Sequence, residues 1–186
     1  LCLGFAFIAP GVWRTGLLLA AFGAIAGLAV PTLATWYAYD VTGLYDLTWM
    51  SRWMEPEGQG ANIHAGFDET TPLLEENYPR IGWHVFDFYD PAKHTEISIR
   101  RARKTQVPHP RTLSIGSTSI PLENRSLDTV VLMLAAHEVR DRRERVALFK
   151  EISRVLRPGG KVLVVEHLRD WVNIVAYSVG AWHFHT

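Results

Sequence analysis

The sequence predicts an α/β domain on a doubly wound, mostly parallel sheet, preceded by transmembrane helices. Three observations carry this reading. Residues 15–39 hold no charged side chain. Beyond residue 60, short apolar runs alternate with amphipathic stretches, the pattern of βαβ units. The best-marked of those stretches ends at Arg157-Pro-Gly-Gly160 and leads into another apolar run, which reads as helix, turn and buried strand.

Composition narrows the field. The chain has 186 residues, enough for one compact domain with appendages, and its 19 Lys and Arg balance 19 Asp and Glu. With zero net charge there is no bulk attraction to nucleic acid, and no nucleic-acid partner is expected. A single cysteine, Cys2, excludes an internal disulfide framework. The eight histidines are scattered without CxxC or HExxH spacing, so no metal site is expected. The chain opens on Leu1 rather than Met and is read as incomplete at its start.

Residues 16–36 supply about 20 uncharged positions, the length that crosses a hydrocarbon core of roughly 30 Å. Pro31 is expected to kink this helix. Gly23 and Gly27 form a small-xxx-small step that would let another helix approach. Residues 1–10 are also apolar and lead into a short turn at Gly11-Val-Trp-Arg14, so residues 1–39 read as a transmembrane hairpin or anchor. A signal peptide is the competing reading, but a positive leading segment and a cleavage site are missing. Trp36, Tyr37, Tyr39, Tyr45, Trp49 and Trp53 crowd the exit, which places residues 41–54 along the membrane surface. Residues 40–60 thus form an interfacial segment ending in the linker Glu55-Pro-Glu-Gly-Gln-Gly60. The expected partners are the lipid bilayer and other integral membrane subunits. The expected location is the inner, cytoplasmic membrane with the soluble domain on the cytoplasmic side, although Arg14 and Arg52 fall on opposite sides and leave orientation open.

Residues 61–186 form the α/β domain. Residues 61–65 read as a first strand, and Thr71 as the cap of a helix with Pro72 in its first turn. Residues 83–87 form a second strand, and Asp90-Pro91 start a helix running to about Lys104. Residues 112–115 and 127–134 follow as third and fourth strands. Asp141 and Glu144 have capping-box spacing, ahead of an apolar face of Val146, Phe149, Ile152 and Leu156. Residues 161–166 complete five strands. Ligands bind such sheets outside the carboxyl ends of the strands.

Residues 120–131 (IPLENRSLDTVV), residues 156–166 (LRPGGKVLVVE) and the strand ending at Asp87 resemble class I S-adenosylmethionine-dependent methyltransferases, most of all the ubiquinone and menaquinone branch. The likeness covers about residues 61–169. It implies a Rossmann-like methyltransferase sheet and S-adenosylmethionine as cofactor. Gly66 matches the first glycine of the family's loop, while Asp68 and Thr70 stand where the second and third usually are. Asp68 either meets the cofactor's amino or sulfonium group or blocks the site. Asp87 matches the acid that holds both ribose hydroxyls; the alternative, a helix cap, suits Asp90 better. Gly116 and Ser117 occupy the place of an acid near the adenine, so that contact is absent or made by the Ser117 hydroxyl. His137 lies on the acceptor side, where a neutral imidazole would take a phenolic proton; the other reading is a histidine packed at a strand end. Glu166 and His167 carry the same two readings, and His64 reads as a strand residue with a backbone partner.

The cluster Arg100, Arg101, Arg103, Lys104 and Arg111 is either a solvated helix face or, close to a membrane, a surface for anionic headgroups or an acidic subunit. Beyond Arg169 the strands that close the family's sheet are missing. Two functions stay open. One is a membrane-anchored methyltransferase acting on a lipid-soluble acceptor such as a quinone or phospholipid headgroup. The other is a non-catalytic structural subunit of a larger respiratory or photosynthetic membrane complex.

Overall fold

The computed structural model describes residues 11–95 and 97–177; the apolar stretch 1–10, expected to complete a hairpin, and the chain end from residue 178 lie outside these. The described chain falls into two compact units, residues 11–44 with 170–177 and residues 45–169.

The first unit is dominated by helix α1 (Gly11–Trp36). Its 26 residues rise about 39 Å at 1.5 Å each, more than a hydrocarbon core requires. It runs unbroken through Pro31, and one turn back the Thr32 hydroxyl donates to the Leu28 carbonyl at 2.7 Å. Its only buried residue is Ala21, so the apolar side chains point outward. Among the described residues this is the one helix long and apolar enough to cross a membrane. It widens into a π-helical turn at Tyr37–Val41. The same unit holds a short helix at Trp171–Tyr177, where the Asp170 carboxylate accepts the Asn173 N–H at 2.8 Å.

The second unit contains β1 (Gly58–His64), α2 (Thr70–Asn77), β2 (Ile81–Asp87), α3 (Ile97–Thr105), β3 (Thr112–Ser114), β4 (Leu127–Met133), α4 (Arg142–Val155) and β5 (Leu156–Val165). All pairings are parallel and the strand order is β3-β2-β1-β4-β5. The chain winds outward from β1 to β3, then crosses back over β1 to lay down β4. That reversal leaves a crevice at the carboxyl ends of β1 and β4, the place where open α/β sheets bind ligands. The core lies around the central strands: Ala61 and Ile63 of β1, Val130 and Leu132 of β4, and Leu148, Ile152 and Val155 of α4.

Several boundaries differ from the sequence reading, each for a local reason. β1 begins at Gly58, inside the expected linker, because the Asp128 carboxylate accepts the Gln59 N–H at 2.8 Å and draws that segment into the sheet. Residues 45–54, expected along a membrane surface, belong to the α/β unit: Leu47 and Met50 are fully buried, and the Tyr78 hydroxyl donates to the Leu47 carbonyl at 2.7 Å. The helix expected from Asp90 is replaced by a turn. The buried His94 ring accepts the Asp90 N–H at 2.8 Å and packs against Phe88 and Tyr89, so α3 starts only at Ile97. In α4 the Asp141 cap forms, with the Glu144 N–H donating to its carboxylate at 2.8 Å. Of the expected face, Ile152 is buried and Phe149 and Leu156 pack partly buried against the core, joined by Leu148 and Val155, whereas Val146 is exposed. β5 starts at Leu156 rather than residue 161. Leu156 pairs with Leu127 and Lys161 with Thr129, so Arg157–Gly160 loops out, with Gly159 in the left-handed region at φ +85°.

Between β3 and β4 there is no helix among the described residues; Arg154 of α4 holds that connection instead. Its guanidinium donates to the carbonyls of Ile120 and Leu122, both at 2.8 Å, to Asn124 Oδ1 at 2.9 Å, and to Glu151 at 2.9 and 2.8 Å. Glu151 in turn accepts the Ile120 N–H at 3.0 Å. Arg154→Met keeps the aliphatic stem but frees these acceptors. It should lower stability by about 2–3 kcal/mol in urea unfolding of the detergent-solubilised chain; a loss within 0.5 kcal/mol contradicts the strapping role.

Candidate functional site

The site is assembled at the carboxyl ends of β1, β2, β4 and β5. β1 ends at His64, paired in register with Asp87 at the end of β2. The chain then turns at Gly66, whose φ of +87° few residues but glycine adopt. The Gly66 N–H donates to His64 Nδ1 at 3.0 Å, so that nitrogen is the unprotonated one and Nε2 carries the hydrogen. Burial pulls the His64 pKa below its ordinary value, against the opposing pull of the Asp68 and Asp87 carboxylates, and the ring is neutral near pH 7.

Asp68 caps α2, which changes two expectations. Its Oδ1 accepts the N–H groups of Thr70 and Thr71 at 3.1 and 2.9 Å, and Asn62 Nδ2 at 3.0 Å. Thr71, expected as the cap, instead accepts Asn62 Nδ2 through its hydroxyl at 2.8 Å. Thus one oxygen of Asp68, a proposed cofactor contact, is spent on helix initiation. Its other oxygen, Oδ2, is buried without a hydrogen-bond partner among the described residues, as is His64 Nε2 at 3.8 Å from it. The Asp68 backbone is bracketed by Gln106, which accepts its N–H at 2.7 Å and donates to its carbonyl.

Asp87 is only 6% exposed. Oδ1 accepts the Tyr89 N–H at 2.8 Å, and Oδ2 accepts Arg103 Nη1 at 2.6 Å. Arg103 reaches in from α3, with its guanidinium carbon 4.2 Å from the centre of the Tyr89 ring. It also lies against the Gly66 turn: a Cβ placed on Gly66 would sit 1.5 Å from Arg103 Nη1, and its three nearest neighbours would all be Arg103 atoms. The space between Gly66 and Asp87 is therefore filled by one long, flexible side chain.

Ser117 is buried and its hydroxyl donates to Glu144 Oε1, which also takes Lys93 Nζ at 2.9 Å. The hydroxyl expected near an adenine thus ties the loop after β3 to α4. His137 sits in a 3₁₀ turn (Ala136–Glu138) just after β4, its Nδ1 2.7 Å from Glu166 Oε2 and its Nε2 3.4 Å from Glu138 Oε1. The His137 backbone N–H also donates to Glu166 Oε1 at 3.2 Å. Burial alone would lower its pKa, but the hydrogen bonds to Glu138 and Glu166 outweigh that and push it up to about 9. At neutral pH the ring is already protonated, so it does not accept a phenolic proton; the expected base is an imidazolium joining the ends of β4 and β5. Burial holds the neighbouring His167 below its ordinary value, and the charge on His137 adds to this.

The structure thus brings Gly66, Asp68 and Asp87 together, while Ser117 and His137 each have their own polar partners elsewhere at the sheet edge. Sequence reasoning missed Arg103, Gln106 and Tyr89. A signal existed for Arg103: it lies next to Ile99 and Ala102 on the helical wheel, on the apolar side of α3.

Residues 65–164 match the family described as Methyltransferase domain, and this chain belongs to that family. Solved structures align with the chain, and the first named here, with a TM-score above 0.5, shares its fold. A S-adenosylmethionine-dependent methyltransferase from Methanosarcina mazei aligns with a TM-score of 0.51 at 19% identity, covering 67% of this chain and 59% of that one. The YcgJ protein of Bacillus subtilis aligns at 0.45 and 23%, covering 66% and 51%. A S-adenosylmethionine-dependent methyltransferase from Aquifex aeolicus aligns at 0.48 and 14%, covering 68% and 66%. No curated protein matches the chain. It spans 51% to 66% of the lengths of these three structures.

The paired His137 has a consequence for stability. A raised pKa means the interaction is fully present below the unfolded value of 6.5 and is lost as pH climbs through about 9. Stability in urea should fall by on the order of 3 kcal/mol between those limits. His137→Asn should flatten that part of the profile; an unchanged slope in the variant contradicts the assignment.

Proposed function

We propose that the chain is a membrane-anchored, S-adenosylmethionine-dependent methyltransferase whose cofactor seat, at Asp87, is held by Arg103 until the cofactor displaces it. The observation that carries this reading is that Arg103, bonded to Asp87, lies against the Gly66 turn that follows β1 at the crevice. A carboxylate at a strand end, beside a glycine in the left-handed region, suits a ribose diol lying close to backbone. The obstruction is the far end of a flexible side chain and not backbone, so it can leave without refolding the turn. Once bound, S-adenosylmethionine supplies an activated methyl group; the protein's part is orientation and exclusion of water. Gly66 and Asp87 would hold the ribose end. Asp68 Oδ2, buried without a partner among the described residues, would be an acceptor for a donor on the cofactor. Ser117 and His137 act by fixing the loop after β3 and the β4–β5 edge, and the acceptor needs no proton removed by His137.

Membrane anchoring is assigned to α1, and with it a lipid-soluble acceptor such as a quinone or phospholipid headgroup, presented at the cytoplasmic face. An acceptor that stays in the bilayer favours an enzyme tethered beside it. The resemblance to the ubiquinone and menaquinone branch supports an acceptor of this kind.

A second reading is favoured by one observation: Asp87 already has a charged partner at 2.6 Å and needs no ligand for its buried charge. On that reading the domain is a non-catalytic scaffold in a larger membrane complex, respiratory or photosynthetic.

Calorimetry with S-adenosylhomocysteine separates the two. Replacing Arg103→Ala should tighten binding about tenfold or more by removing the competing guanidinium, and Asp87→Ala should weaken it 10- to 100-fold. No heat from the wild type or from Arg103→Ala, in protein whose circular dichroism shows it folded, removes the enzymatic reading.

A further inference from the structure

Helix α3 carries four cations and divides them. At 100° per residue, Arg100, Lys104, Ile97 and Arg101 fall within an arc of about 100°, while Ile99, Ala102 and Arg103 lie on the other side. Burial follows this division. Ile99 is buried and Arg103 reaches Asp87, whereas Arg100, Arg101 and Lys104 are exposed and Ile97 is 58% exposed. The side chains of the three outward cations have no ion pair or hydrogen bond among the described residues. Arg111, by contrast, pairs with Glu75, and Lys93 with Glu144. Just beyond the helix, Val107 is 88% exposed.

We propose that this outward face of α3 docks on an anionic lipid surface, the three cations meeting headgroup phosphates and Ile97 entering the boundary with the acyl chains. A solvated face needs no isoleucine at the centre of its charges. An interfacial helix needs both features, cations for the phosphates and an apolar residue to bury. Charge complementarity selects the occupant: basic residues near a bilayer are drawn to its anionic lipids and not to neutral ones. The protein also carries α1, the helix long enough to span, so a bilayer is the surface such a face would meet at high effective concentration.

The test follows α3 itself. In the full chain carrying Cys2→Ser, Val107→Cys is labelled with an environment-sensitive fluorophore, and the protein is reconstituted with nanodiscs of phosphatidylcholine, with or without phosphatidylglycerol. Because the probe is local, bilayer contacts made elsewhere in the chain leave it unmoved. Docking predicts a blue-shifted emission, quenched by brominated acyl chains, only when phosphatidylglycerol is present, and reversed by high salt. The combined change Arg100→Gln, Arg101→Gln and Lys104→Gln should weaken the response on the order of 100-fold in lipid titration. Ile97→Asp, which leaves all three cations in place, should weaken it as well. The same signal in both kinds of nanodisc, an unchanged response in both variants, or a response to RNA and none to phosphatidylglycerol overturns the proposal. None of these readouts requires cofactor, so the surface can fail or stand independently of the methyltransferase reading.

Discussion

The contact on which the account rests is the one between the Asp87 carboxylate and the Arg103 guanidinium, 2.6 Å apart at the carboxyl edge of the sheet. A buried carboxylate must be partnered, because desolvating a lone charge costs several kcal/mol. In a parallel sheet, the crevice that leaves such a carboxylate is also where ligands settle. The fold thus creates a charge that needs satisfying at the place where a ligand would satisfy it. Here an arginine does so from within the chain, lying over the Gly66 turn and against Tyr89. Everything functional follows from whether that arginine is a permanent partner or one that yields.

The neighbouring polar groups show the same economy. Asp68 stands where a glycine-rich loop would let a cofactor approach, yet it starts α2 with one oxygen and keeps the other buried and unpartnered among the described residues. His137 and Glu166 join the ends of β4 and β5, and Ser117 ties the loop after β3 to α4. The sheet edge is held by paired side chains, and the end of α3 joins it through Arg103 on Asp87 and Gln106 on the Asp68 backbone.

Much of the fold was legible in the sequence. The buried run 127–133 and the Asp141 cap are local signals with single physical meanings, and both appear near their expected places, whereas the Pro-Gly-Gly stretch expected ahead of the last strand bulges out within β5. The methyltransferase-domain family followed from those same segments. Less legible were boundaries set by distant partners. β1 starts early because Asp128, 69 residues away in sequence, takes the Gln59 N–H, and α3 starts late because His94 folds back on Asp90. The site was readable as a list of positions but not as a set of pairings. Asp87 and Gly66 could be placed from strand ends and loop spacing, whereas Arg103 sat in a run of cations that reads as a wet helix face. Nor does sequence disclose that two carboxylates flank His137 and keep it protonated, since Glu138 and Glu166 lie on different segments.

A structure of the full chain crystallised with S-adenosylhomocysteine tests the central claim most directly. The account predicts the ribose hydroxyls on the Asp87 carboxylate and Arg103 withdrawn from the space beside Gly66. A structure in which the ligand binds elsewhere, or in which Arg103 still rests on Asp87 at saturating ligand, contradicts it.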